Sequence, residues 1–147
     1  MLRGGSVGLV PPLELWDEVI APRLDELMGE VFERVCREHV RAGRAPIRPL
    51  RLGSWWDGRS RHQVDVAAVS ADGSLFAAEC KWGEIRARDL ESLRERSRRV
   101  AAELPRAGPI HLGFYSGRGA FDDAVREAAA RGEATLYGPD DVAGAPD

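Results

Sequence analysis

The chain has 147 residues, 44% hydrophobic and 31% charged, with a formal net charge of -3, which is apolar enough for one buried core and too apolar for a disordered chain. No uncharged stretch approaches the roughly 20 apolar residues of a membrane span, which excludes a transmembrane helix, and Met1 to Pro12, broken by Pro11 and Pro12 and followed by acids, makes a poor signal peptide. Two cysteines, Cys36 and Cys80, without secretory signs point to reduced thiols and a cytoplasmic location.

Residues 1–19 read as an N-terminal extension, 20–138 as one domain and 139–147 as an acidic, mobile tail. Leu24, Leu27, Met28, Val31, Phe32, Val35 and Val40 recur at helical spacing and predict an amphipathic helix from about Pro22 to Ala42, with Gly43 as its C-cap and Pro46 preventing continuation. Ile47 to Trp56 reads as a strand that Pro49 weakens, and Asp57-Gly58 as a turn. Gln63 to Ser70 and Ser74 to Trp82 form the strongest hairpin signal, joined by Ala71-Asp72-Gly73. A helix from about Ala87 to Leu104, a strand from Ile110 to Tyr115, a helix from about Ala120 to Arg131 and a short strand from Ala134 to Tyr137 complete the order. Helix, three-stranded meander, helix, strand, helix, strand is a mixed α/β sheet with helices on its faces.

Charge is unevenly spread. Residues 1–33 carry two basic and seven acidic side chains, whereas residues 34–65 carry eight and three. The run from Arg34 to Arg61 can meet a phosphate backbone or simply be a solvated face. Of the 21 basic residues 20 are Arg, so the single lysine, Lys81, stands out as a place where a compact ammonium is needed.

The hairpin register can be derived. A three-residue loop with Gly73 in the left-handed position pairs Ser70 with Ser74, so Asp65 is expected opposite Glu79 and Gln63 opposite Lys81, all four on one face. Val64, Val66, Ala68, Phe76, Ala78, Cys80 and Trp82 then share the other face, which is core. Two facing carboxylates repel unless a positive charge lies between them, and either a hard divalent cation or an Asp–Lys–Glu salt-bridge cluster answers that need.

Asp65 followed by Glu79-Cys80-Lys81 on the next strand of a hairpin, after a helix, resembles the PD-(D/E)XK nuclease superfamily. More narrowly, Gly29-Glu30-Val31-Phe32-Glu33, Gly53-Ser54-Trp55-Trp56, Val64-Asp65-Val66 and Glu79-Cys80-Lys81-Trp82 resemble the nuclease-like C-terminal domain of a group of prokaryotic AAA-type ATPases, from about Ile20 to Ser116. The resemblance implies a restriction-endonuclease-like core with a further helix and short strand, and a Mg²⁺- or Mn²⁺-dependent deoxyribonuclease. It implies Asp65, Glu79 and the backbone carbonyl of Cys80 as metal ligands, Lys81 positioning the attacking water, and Glu33 completing the outer shell or binding a second ion. Periodicity supports Glu33 least, since it lies away from the apolar stripe, although Gly29 one turn earlier would let the sheet approach that side. Val64 replaces the motif's Pro, Gln63 stands where this family often has an acid, and no G-x-x-x-x-G-K-[ST] phosphate loop is present.

Arg51, Trp55, Trp56, Arg59, Arg61 and His62 are candidates for nucleic-acid contact, with an ordinary core or surface role as the alternative for the Trp pair. Expected partners are DNA, an AAA-type ATPase module or a second copy of the chain. The rival reading of the whole is a catalytically silent nuclease-like module that binds one of these.

Overall fold

The structure, a computed structural model, describes residues 18, 21–56, 63–105 and 108–143. The elements are α1 (Ala21–Arg41), β1 (Arg51–Trp56), β2 (Gln63–Val69), β3 (Leu75–Lys81), α2 (Ala87–Ala102), β4 (Ile110–Ser116), α3 (Asp123–Ala130), β5 (Thr135–Tyr137) and α4 (Pro139–Ala143). They form a mixed α/β fold around one five-stranded sheet in the order β1-β2-β3-β4-β5. The first three strands are an antiparallel meander, and β4 and β5 add in parallel. As far as β5 this is the element order expected from the sequence; α4 is additional. The extension at 1–19 lies outside the described residues apart from Glu18, as does the turn at Asp57-Gly58. Among the described residues no helix is long and apolar enough to cross a membrane.

Both sheet faces are covered, so the strands are apolar on both sides. On one face Leu75, Ala77, Leu112 and Phe114 pack with Leu90, Leu93 and Val100 of α2 and Val125 and Ala128 of α3. On the other, Val66, Ala68, Phe76, Ala78, Tyr115 and Tyr137 meet Phe32, Cys36 and Val40 of α1. Gly113 on β4 leaves room for the Phe76 ring of β3, because a Cβ there would lie 2.3 Å from it.

Three expectations need correction. First, β1 starts at Arg51 rather than Ile47: Pro49 has no N–H to donate, and pairing begins only with the Leu50 N–H on the Val69 carbonyl. Second, α1 does not bury its main apolar stripe. The sheet is met by Phe32, Cys36 and Val40, while Leu24, Leu27, Met28, Val31 and Val35 remain exposed. Gly29 does not serve a close approach, since a Cβ there would meet nothing within 4 Å. Third, the expected tail at 139–147 begins as a helix, α4, whose Val142 packs on the α1-side core; residues 144–147 lie outside the described ones.

Candidate active site

The hairpin holds the derived register over four pairs, from Val69↔Leu75 to Val66↔Ala78, and Gly73 has φ +89° as its turn requires. The β2–β3 ladder stops there. On the other edge of β2 the register with β1 shifts: Gly53 pairs with Ala67 but Trp55 with Val64, so Asp65 and Val66 together oppose Ser54 in a β-bulge. The Ser54 hydroxyl donates to the Asp65 carbonyl at 3.0 Å. The extra residue breaks the alternation expected of β2. Val64 therefore joins the α2-side core and not the face of Val66 and Ala68.

The bulge also re-aims Asp65. Its Oδ2 accepts the backbone N–H of Cys80 at 2.9 Å, and its Oδ1 accepts the Gln63 side-chain amide at 3.3 Å. Gln63 thus turns to Asp65 instead of facing Lys81 across the hairpin. Burial raises the Asp65 pKa above its ordinary value against the pull of the Cys80 N–H, Glu33 adds to the rise, and Arg96 and Arg37 oppose it. A strand residue's N–H and C=O point to the same side. The Cys80 carbonyl is therefore directed towards Asp65, in the fork where β2 and β3 part.

Glu79 is half-buried and carries the strongest electrostatic signal of the cluster. Burial, then the carboxylates of Asp89 and Asp65, push its pKa up to about 7, while Arg96 and Lys81 pull the other way. Its Oε2 is buried and has no hydrogen-bond partner. An orphaned buried carboxylate oxygen is costly, and it stands where a cation would satisfy it.

Lys81 does not ion-pair with Asp65 or Glu79, so of the two alternatives the Asp–Lys–Glu salt-bridge cluster is not formed. Its Nζ pairs with Asp89 Oδ2 at 3.2 Å, and the same oxygen accepts the Arg86 N–H at the start of α2 at 2.7 Å. Asp89 went unnoticed in the sequence; its signal was its place in the first turn of α2, where an acid caps the helix. Arg96, which donates to the Gln63 carbonyl at 3.0 Å, was likewise missed. One helical turn before Arg37, Glu33 is ion-paired to it and close enough to Asp65 to raise its pKa. The helix face that buries Phe32 and Cys36 brings Glu33 to the strand fork, which the apolar stripe had argued against.

The Cys80 thiol faces Cys36. That hydrogen bond, with burial, pushes its pKa well above the ordinary value, which leaves it an inert packing group. Trp55 packs on the α2-side core and donates its indole N–H to Glu103 at 2.5 Å. Arg51 is exposed on β1. Arg59, Arg61, His62 and the Trp56 side chain lie outside the described residues. The Ser116-Gly117-Arg118-Gly119 turn is structural: the Ser116 hydroxyl is spent between the Gly83 carbonyl and the Ala120 N–H.

Among the described residues no three His, Cys, Asp or Glu side chains are gathered closely enough to hold a metal ion by themselves. The fork nonetheless fits a small hard cation, which takes one or two carboxylates and keeps several waters. Asp65 and Glu79 would supply the carboxylates, Glu79 with an unpartnered buried oxygen, and Cys80 a carbonyl.

Among solved structures, the chain is similar to a repair endonuclease from Pyrococcus abyssi, with a TM-score of 0.51 and 11% identity, over 71% of this chain and 43% of that one. The likeness is one of fold, restriction-endonuclease-like, and this chain spans less than half the length of that protein. No curated protein matches. A family model does match, over residues 12–93, and takes in α1, the meander and the whole strand fork. The chain accordingly belongs to the family DUF234, described as archaeal and bacterial proteins of unknown function.

Proposed function

We propose that the chain is a PD-(D/E)XK-type nuclease domain that hydrolyses DNA phosphodiester bonds with Mg²⁺ or Mn²⁺ at the strand fork. The observation that carries this reading is the buried, unpartnered Oε2 of Glu79 beside Asp65, two residues before the only lysine. The fold likeness to a repair endonuclease supports it. Asp65 and Glu79 would hold the cation with the Cys80 carbonyl, and Glu33 would orient its waters. A bound divalent cation supplies Lewis-acid polarisation of a phosphoryl oxygen and a water of lowered pKa. The chain's own part is to position. Asp65 is locked by the Cys80 N–H, Asp89 holds the Lys81 ammonium, and Lys81 orients the attacking water while Arg96 lends positive charge at the rim.

The test is cleavage of plasmid, single-stranded and branched DNA with each metal, comparing the chain with Lys81→Ala, Lys81→Arg and Glu79→Gln. Cleavage by the unsubstituted chain alone is expected, with Lys81→Arg inactive despite its retained charge. Activity that survives Lys81→Arg removes the lysine from the mechanism.

The Lys81–Asp89 ion pair favours a second reading, in which the lysine is structural and the domain is a silent module that binds DNA or an AAA-type ATPase partner. DNA or ATPase binding without cleavage under any metal would establish that reading. A cytoplasmic location belongs to both.

A further inference from the structure

The apolar stripe of α1 that the sheet leaves uncovered comprises Leu24, Leu27, Met28, Val31 and Val35, between 36% and 54% exposed. Their spacing lines one helix face over about 17 Å. Single exposed apolar residues are ordinary, but a contiguous stripe marks an interaction surface. Beside it runs a mainly apolar groove of about 390 Å³, lined by Val31, Val35, His39, Ala42 and Val142.

The charges along α1 identify the occupant. Leaving aside Glu33 and Arg37, which pair with each other at the strand fork, the first half from Ala21 carries one base and three acids (Asp25, Glu26, Glu30), and the second half to Arg44 carries three arginines (Arg34, Arg41, Arg44) and one acid, Glu38, paired with Arg41. We propose that this face is the interface of a two-fold symmetric homodimer in which α1 of one copy packs antiparallel on α1 of the other. With the axis near Val31, the acidic half of each helix meets the basic half of its partner. A parallel arrangement would set acid on acid. Antiparallel packing also carries Leu27 to the partner's Val35 and Leu24 to the partner's groove, so ridge and recess are reciprocal, as a closed two-fold contact requires. One helix face is smaller than the roughly 800 Å² per partner of a standard interface, so the dimer is expected to be weak and reversible.

Sedimentation velocity of the full chain over a wide concentration range tests this directly. A monomer–dimer equilibrium is expected, weakened at least tenfold by Leu27→Glu with Val31→Glu; both sites are exposed, and unchanged circular dichroism and Tm would show that folding is spared. Glu26→Arg with Glu30→Arg, and Arg34→Glu with Arg41→Glu, should each be monomeric alone and form a heterodimer when mixed. A short bifunctional thiol reagent should couple Val31→Cys, at the axis, and not Leu24→Cys, far from it. A chain that stays monomeric at the highest concentration, or one whose association is untouched by the Glu substitutions, overturns the proposal. Equal coupling at both cysteines overturns the antiparallel geometry.

Discussion

Burial and the neighbouring carboxylates of Asp89 and Asp65 hold Glu79 against its own charge. Its folded-state pKa of about 7 lies above the ordinary 4.5, so the folded chain holds this proton more tightly than the unfolded chain does. The contribution to stability is then complete below pH 4.5 and is lost as pH rises through 7. Glu79→Gln should flatten this slope and make the metal-free protein more stable at pH 8 by about 2–3 kcal/mol, measured by urea unfolding at pH 5 and pH 8. The same substitution should abolish Mn²⁺ binding by calorimetry. A variant no more stable than the parent at pH 8 would mean that Glu79 is not held against its charge. Asp89 makes the complementary case. Removing it in Asp89→Ala deprives the Arg86 N–H of its partner and frees Lys81, with an expected stability loss of about 1 kcal/mol. If Lys81 works only when held, cleavage falls in Asp89→Ala far more than a loss of that size explains.

Among the elements, the meander was legible because its signals are local. Ala71-Asp72-Gly73 sets the turn, the turn sets the register, and the register holds from Val69↔Leu75 to Val66↔Ala78. The bulge opposite Ser54 was not legible, because the extra residue of β2 is defined only against β1. It is this bulge that turns Asp65 to Cys80 and Val64 to the opposite core. A similar dependence on a neighbouring strand holds Gly113 against Phe76: Gly113→Ala should drive a methyl into that fully buried ring and destabilise the domain by about 1–3 kcal/mol, read from chemical unfolding. A neutral substitution would show that the ring has room to move.

For the molecule as a whole, a net charge of -3 sits beside an arginine-rich stretch from Arg34 to Arg61. If this stretch meets phosphates, affinity for duplex DNA should fall steeply between about 50 and 200 mM salt, as counterion release dictates. Binding measured by fluorescence anisotropy across that range checks it, and affinity indifferent to salt means that the arginines do not meet phosphates.

Element order, the turn at Gly73, the covered sheet and the presence of Asp65, Glu79 and Lys81 at one hairpin end all follow from periodicity and turn chemistry, which act over a few residues and are written in the chain itself. Tertiary structure decided the rest. The apolar stripe of α1 named a helix but not the face the sheet would take, because burial depends on what approaches from elsewhere in the chain; Phe32, Cys36 and Val40 were chosen, and Glu33 came to the fork with them. The Lys81–Asp89 pair, the rim position of Arg96 and the unpartnered oxygen of Glu79 likewise exist only once β2, β3 and α2 meet. Electrostatics and satisfaction of buried polar groups are properties of distances through space, and spacing along the sequence does not contain them.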